Sequence, residues 1–159
     1  MSTRVRRRPQ VGLLAVQCAS ILVGALLLIV GVLGFVPGIS SHVDGLRLAG
    51  PESATQLFGI FQTSILHNLI HVAVGVAGLV LATTYARSRA YLLAGGLLFL
   101  GFWVHGLTID LSGPANVLPV DTADNWLNLG LGATMVIMAL TLAGTRVPTG
   151  AGGEVLIPE

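Results

Sequence analysis

Residues 57–84 read LFGIFQTSILHNLIHVAVGVAGLVLATT, with no acidic or basic side chain apart from two histidines. The run exceeds the roughly 20 apolar residues that a helix needs to cross the hydrocarbon core of a bilayer. At its centre stands His67-Asn68-Leu69-Ile70-His71. Lipid offers imidazole and carboxamide groups no hydrogen-bond partners, so His67, Asn68 and His71 must face protein or an internal polar pocket. The same stretch therefore decides the fold class and marks the first candidate site.

Three more apolar runs, 11–36, 90–111 and 126–144, have comparable length. Together with 57–84 they predict an all-α fold, an integral membrane four-helix bundle. A β-barrel would need alternating segments about half as long, and none is visible. Hydrophobic residues make up 53% of the 159-residue chain and charged residues 9%. The mean hydropathy is +0.85. Such a composition excludes an ordinary soluble domain and makes the lipid bilayer the principal partner. The expected organisation is a basic cytoplasmic N-terminus at 1–10, a four-span domain at 11–146, and a disordered cytoplasmic tail at 147–159 rich in Pro and Gly.

Arginine sets the orientation. Arg4, Arg6, Arg7 and Arg8 precede the first run, Arg87 and Arg89 separate the second and third, and Arg146 follows the fourth. The positive-inside rule places all of them, and both termini, in the cytoplasm. A basic cluster abutting an apolar run is a topology signal, and no nucleic-acid partner is expected. The outer loops, 37–56 and 112–125, hold Arg47 as their only basic group and several turn formers, so they are expected to fold back as a cap. Tyr91 and Trp126 near span ends fit an interfacial aromatic pattern. Cys18 is the only cysteine, which excludes an intrachain disulfide. The run 11–36 is too long for an ordinary signal-peptide core and is expected to be retained.

Spans two and four align without a gap: His67-Asn68-Leu69-Ile70-His71 lies over Asp124-Asn125-Trp126-Leu127-Asn128, and Gly75 over Gly132. The match points to two parallel helical-hairpin repeats. At about 100° per residue, Gln56, Ile60, Thr63, Ser64, His67, His71, Gly75, Gly78 and Ala82 share one stripe of span two. Asp124, Asn128, Gly132, Met135 and Ala139 do so in span four, and Gln17, Ser20, Gly24 and Gly31 in span one. Small and polar stripes are the packing faces of membrane helices.

The candidate polar cluster is therefore His67, Asn68, His71, His105, Asp124, Asn125 and Asn128, lying in one layer of the outer half of the membrane. Its simplest role is interhelical hydrogen bonding that fixes helix register. His67 and His71, at i and i+4, present the spacing of a metal-ligand pair, with Asp124 or Asn128 as further ligands, but lack the intervening Glu of a zinc-protease helix. A haem b would draw on His71 and His105 from different helices. Ser64, His67 and Asp124 form the ingredients of a nucleophilic site without a nucleophile elbow. Titratable groups at depth also suit a proton-coupled transporter subunit. The favoured expectation is a structural or accessory membrane component with no cofactor and no catalytic residue, able to form a homo-oligomer or to pack on other membrane proteins through its glycine faces.

Several stretches resemble the bacterial membrane proteins grouped as domain of unknown function 4383. They are Gly31-Val32-Leu33-Gly34-Phe35-Val36-Pro37-Gly38, Gly59-Ile60-Phe61-Gln62, His67-Asn68-Leu69-Ile70-His71, Gly75-Val76-Ala77-Gly78-Leu79 and Thr122-Ala123-Asp124-Asn125-Trp126-Leu127. The resemblance covers most of residues 25–140. It implies a small four-helix protein of the bacterial cell (inner) membrane and brings no established activity. The family pattern carries a histidine after Asn-Trp-Leu where this chain has Asn128, which counts against a required three-histidine metal site.

Overall fold

The computed structural model describes residues 14–142. The Arg4, Arg6, Arg7 and Arg8 cluster, Arg146 and the tail at 147–159 lie outside the described residues. Within them the chain forms four long helices: α1 (Ala15–Leu33), α2 (Ile65–Leu81), α3 (Tyr85–Thr108) and α4 (Thr122–Thr141). Between α1 and α2 lies a small antiparallel sheet of β1 (Ser40–Ser41), β2 (Gln56–Leu57) and β3 (Phe61–Gln62), in that order.

The apolar run 57–84 is thus not helical throughout. Phe58 and Gly59 adopt φ of 55° and 69°, turning the chain from β2 into β3. Ser64 is extended and caps α2, its hydroxyl accepting from the His67 N–H at 3.1 Å. The helix begins only there, because a side-chain oxygen satisfies one of the amides that a helix start leaves unpaired. Ile60 consequently falls on the turn, 54% exposed, and does not join the inward stripe. The Arg47 and Leu48 carbonyls accept from the next free amides, Ile65 N at 2.9 Å and Leu66 N at 3.0 Å. The loop between α1 and α2 is thereby built into the start of α2.

Helix α1 packs along α2 and α3 along α4. Both pairs approach so closely that backbones touch. A Cβ on Gly24 would stand 2.8 Å from the Gly75 carbonyl oxygen, and one on Gly96 would stand 2.9 Å from that of Gly132. Other contacts recur in the two hairpins. Gln17 donates to the Ala82 carbonyl at 3.0 Å, and Arg89 donates to that of Ala139 at 3.3 Å. Asn68 lies over Gly34 as Asn125 lies over Gly106. Ser64 caps α2 as Asp121 caps α4. All four correspondences hold one constant spacing from the first hairpin to the second in α1 and α3, and another in α2 and α4. The internal repeat is therefore present in tertiary contacts as well as in sequence.

The helices bury small and polar residues beside an apolar core of Val16, Val23, Leu27, Leu92, Phe99 and Met135. Gln17, Ser20, Gly24 and Gly31 are buried, as are Asp124, Asn128, Gly132, Met135 and Ala139, and the α2 stripe from Ser64 to Ala82. The outward faces carry large apolar side chains such as Leu22, Val80, Leu97 and Ile137. Helices α1 and α3 are long and apolar enough to cross a membrane, and α2 is a shorter apolar helix. Trp126 is 68% exposed, whereas Tyr91 is only 4% exposed. Tyr91 is a core residue set against Gly78, where the absent side chain makes room for its ring.

Candidate functional site

Under the loops that join α1 to α2 and α3 to α4, α2 and α4 bring His67, Asn68, His71, Asp124, Asn125 and Asn128 together as buried side chains. The i, i+4 spacing stacks the two imidazoles, with ring centroids 4.7 Å apart and planes inclined by 24°. Phe99 of α3 closes the other side of His71 at a centroid distance of 5.7 Å. His67 Nδ1 lies 3.3 Å from the Pro119 carbonyl oxygen, and His71 Nδ1 lies 3.0 Å from that of His67. A carbonyl only accepts, so both Nδ1 atoms carry the proton. In the neutral ring, Nε2 is then a bare acceptor. Among the described residues nothing donates to either Nε2.

The carboxylates are held by helix geometry. Asp121 Oδ1 accepts from Asp124 N at 2.9 Å, and Asp124 Oδ2 accepts from Asp121 N at 3.0 Å, a reciprocal capping box. The other Asp121 oxygen accepts from Gln62 N at 3.3 Å, which fastens β3 to the start of α4. Asp121 and Gln62 escaped the sequence reading, although Asp-x-x-Asp before an apolar run is a visible capping signature. Among the described residues no cation pairs with either carboxylate. Further out, the exposed Asp110 accepts from the hydroxyl and the N–H of Ser112, which hold its carboxyl below the usual range.

Asn68 Oδ1 accepts from the Thr63 hydroxyl at 2.5 Å. Its Nδ2 is buried without a partner, and so is Asn125 Oδ1. Both amides press on glycine backbones, those of Gly34 and Gly106. The cap itself is well satisfied. The Asn116 side chain makes three bonds within 111–120, and Gly50 N donates to the Val117 carbonyl at 2.8 Å, tying the α1–α2 and α3–α4 loops together.

His105 borders this group, lining a small cavity of about 10 Å³ together with His67 and Asn128. It is exposed near the end of α3, where its carbonyl accepts from Thr108 and Ile109. Helix α3 turns Phe99 and Gly106 inward instead, because His105 lies about 100° off their stripe. A haem held between His71 and His105 has no support in this arrangement. Nor do three metal-binding side chains gather anywhere among the described residues. Ser64 accepts from the His67 backbone as a helix cap, which gives it no nucleophilic alignment with the His67 ring. Arg87 and Arg89 occupy the first turns of α3, Arg87 bonded to Thr83.

A cavity of about 210 Å³ opens between α1, α4 and the β2–β3 turn. Its floor is Thr63, His67, Asn68, His71, Asp124 and Asn128. Its mouth is apolar, formed by Leu26, Phe58 and Leu127, which are 52%, 55% and 44% exposed.

Compared with known proteins, residues 17–141 match the family described as Domain of unknown function (DUF4383). Neither the curated proteins nor the solved structures contain a match to the chain.

Proposed function

The chain belongs to the DUF4383 family, and since that description assigns no activity, we infer its role from the site alone. We read it as a multi-pass protein of the cell membrane, a four-helix bundle with both termini in the cytoplasm, acting as an accessory or structural component. One observation carries this reading: the helices bury most of their small and polar residues while many large apolar side chains, such as Leu22, Val80, Leu97 and Ile137, stay exposed. Contiguous apolar surface on this scale is not left in water. Helices of 17–24 residues span about 26–36 Å, which matches a hydrocarbon core of about 30 Å.

Within that frame the polar cluster acts as a lock. His67 holds the second outer loop through Pro119, and Asp121 holds the first through Gln62. Both loops are thereby fixed over the outer ends of the helices. Lipid-shielded hydrogen bonds of this kind contribute on the order of 1 kcal/mol each.

The test uses a Cys18→Ser background with single cysteines. Spin labels at Leu22, Leu97 and Ile137 are expected to collide with oxygen and not with a water-soluble nickel chelate. An impermeant maleimide added to intact cells should label Leu48→Cys and leave Arg87→Cys unlabelled. Water-like collision at the three helix positions would overturn the membrane reading, and labelling of Arg87→Cys would overturn the orientation.

A further inference from the structure

The 210 Å³ cavity has a counterpart elsewhere in the molecule. Under the repeat, Val30, Phe61, Thr63, His71, Asp124 and Leu127, which line it, correspond to Phe102, Leu118, Val120, Asn128, His67 and Ile70. Those six residues line a second cavity of only about 10 Å³. The two clefts are thus repeat mates, and one has closed. Phe102 in place of Val30 and the fully buried Phe99 in place of Leu27 fill the space on the α3 side. The same architecture packs tightly where larger side chains are supplied, so the open cleft is not a necessity of the fold.

The chemistry of the open cleft is specific. Its lining includes His67 and His71, to whose Nε2 atoms no described group donates, and Asn128, whose amide bonds no other described residue although the residue is 4% exposed. No cation lines it, which disfavours carboxylate and phosphate heads. Its volume is below the roughly 300 Å³ at which pockets for whole drug-sized ligands begin, so a head group fits and a chain must lie outside. Leu26, Phe58 and Leu127 lead from the mouth onto the outward apolar faces of α1 and α4. Phe58 is held at this mouth in a left-handed backbone conformation, with φ of 55°, that a non-glycine residue rarely adopts.

We propose that this cleft binds a lipid alcohol, an uncharged hydroxyl head on a long apolar chain, which enters sideways from the bilayer between α1 and α4 and donates its hydroxyl proton to the histidine–asparagine floor. The proposal rests on the membrane reading above, and its test separates the two.

The full-length protein in phosphatidylcholine liposomes is irradiated with a hexadecanol carrying a diazirine two carbons from the hydroxyl. Adducts are mapped by mass spectrometry. The alcohol should label Phe58, Phe61 and Leu127 about fivefold more than its methyl ether does, the worth of one hydrogen bond. Val30→Phe, which copies the closed repeat mate, should abolish this labelling, and Asn128→Leu should reduce the alcohol-to-ether ratio towards one. Leu22→Phe on the outer face should change neither. Competition by an unlabelled isoprenoid alcohol or by diacylglycerol supports the site and tells which source fits, whereas competition by neither overturns it. Equal labelling of cleft and outer-face leucines, stronger labelling by the matching fatty acid, or labelling that survives both variants also overturns it. Absence of adducts even at Leu22, Val80 and Ile137 would instead overturn the membrane reading itself, and this proposal with it.

Discussion

Replacing Gly75 with alanine places a methyl group against backbone that has no freedom to swing aside. Its Cβ would lie 2.4 Å from Leu28 N, 2.8 Å from Leu28 Cα and 2.8 Å from the Gly24 oxygen. Contacts this short require α1 and α2 to separate by about an ångström, and overpacking of this order costs about 1–3 kcal/mol. Alanine recovers up to about 1 kcal/mol of helix propensity relative to glycine. The net expectation is a loss of about 1–2 kcal/mol, or roughly 4 °C per kcal/mol in melting temperature. Gly101 and Gly130 are internal controls, because each lies within a helix and a Cβ there would meet nothing within 4 Å. Gly101→Ala and Gly130→Ala should stabilise by up to about 1 kcal/mol. The assay is helical circular dichroism in detergent, by heating and by titration with SDS, on all three variants in parallel. Opposite signs for Gly75 and for the two controls are expected. A Gly75→Ala protein as stable as Gly101→Ala would refute the claim that backbone contact between the helices organises the hairpins.

Asp121→Ala removes both the α4 cap and the tie to Gln62, and should cost about 1–2 kcal/mol in the same melts. Asp121→Asn, which keeps an acceptor for Asp124 N, should lose less than half of that. Thr63→Val strands the Asn68 carbonyl oxygen and should cost about 1–3 kcal/mol; adding Asn68→Leu should return part of the loss, and an additive double variant would contradict the pairing. His67→Phe keeps a ring of similar size but releases Pro119, so amide hydrogen exchange across 112–120 should accelerate while α1 and α3 remain protected. Unchanged exchange in that loop would show that the imidazole does not hold it.

The packing faces were legible because glycine, serine, asparagine and histidine are conspicuous among leucines and valines, and a 100° step gathers them onto one side. The repeat was legible from the aligned Asn68 and Asn125 and the aligned Gly75 and Gly132, and the contacts Gln17–Ala82 and Arg89–Ala139 then extended it to α1 and α3, where Gly24 aligns with Gly96 and Gly34 with Gly106. What the sequence concealed was the early part of the second apolar run. Leu57, Phe61 and Ile60 are as apolar as any helix residue, and only the Ser64 cap and the positive φ at Phe58 and Gly59 turn them into a β-hairpin. His105 was placed by depth alone, and it borders His67 and Asn128 at the small cavity while remaining exposed, because a depth estimate along the helix axis says nothing about which way a side chain turns. Tyr91 misled because proximity to a helix end suggested an interface, while the facing Gly78 in fact admits the ring to the core. The cleft was not legible at all. It depends on the difference in bulk between Val30 and Phe102, which becomes meaningful only when the two hairpins are superimposed.

That difference in bulk bears on ancestry. A hairpin that pairs with a copy of itself makes two identical clefts, so a duplicated and fused ancestor would have begun with a stoichiometry of two occupants per molecule. Filling one side with phenylalanine halves that number and frees the pair of equivalent polar positions to diverge, His67 and His71 on one helix, Asp124 and Asn128 on the other. Restoring Leu and Val at positions 99 and 102 would run that history backwards, and a protein so altered should regain a second vacant chamber beside Ile70.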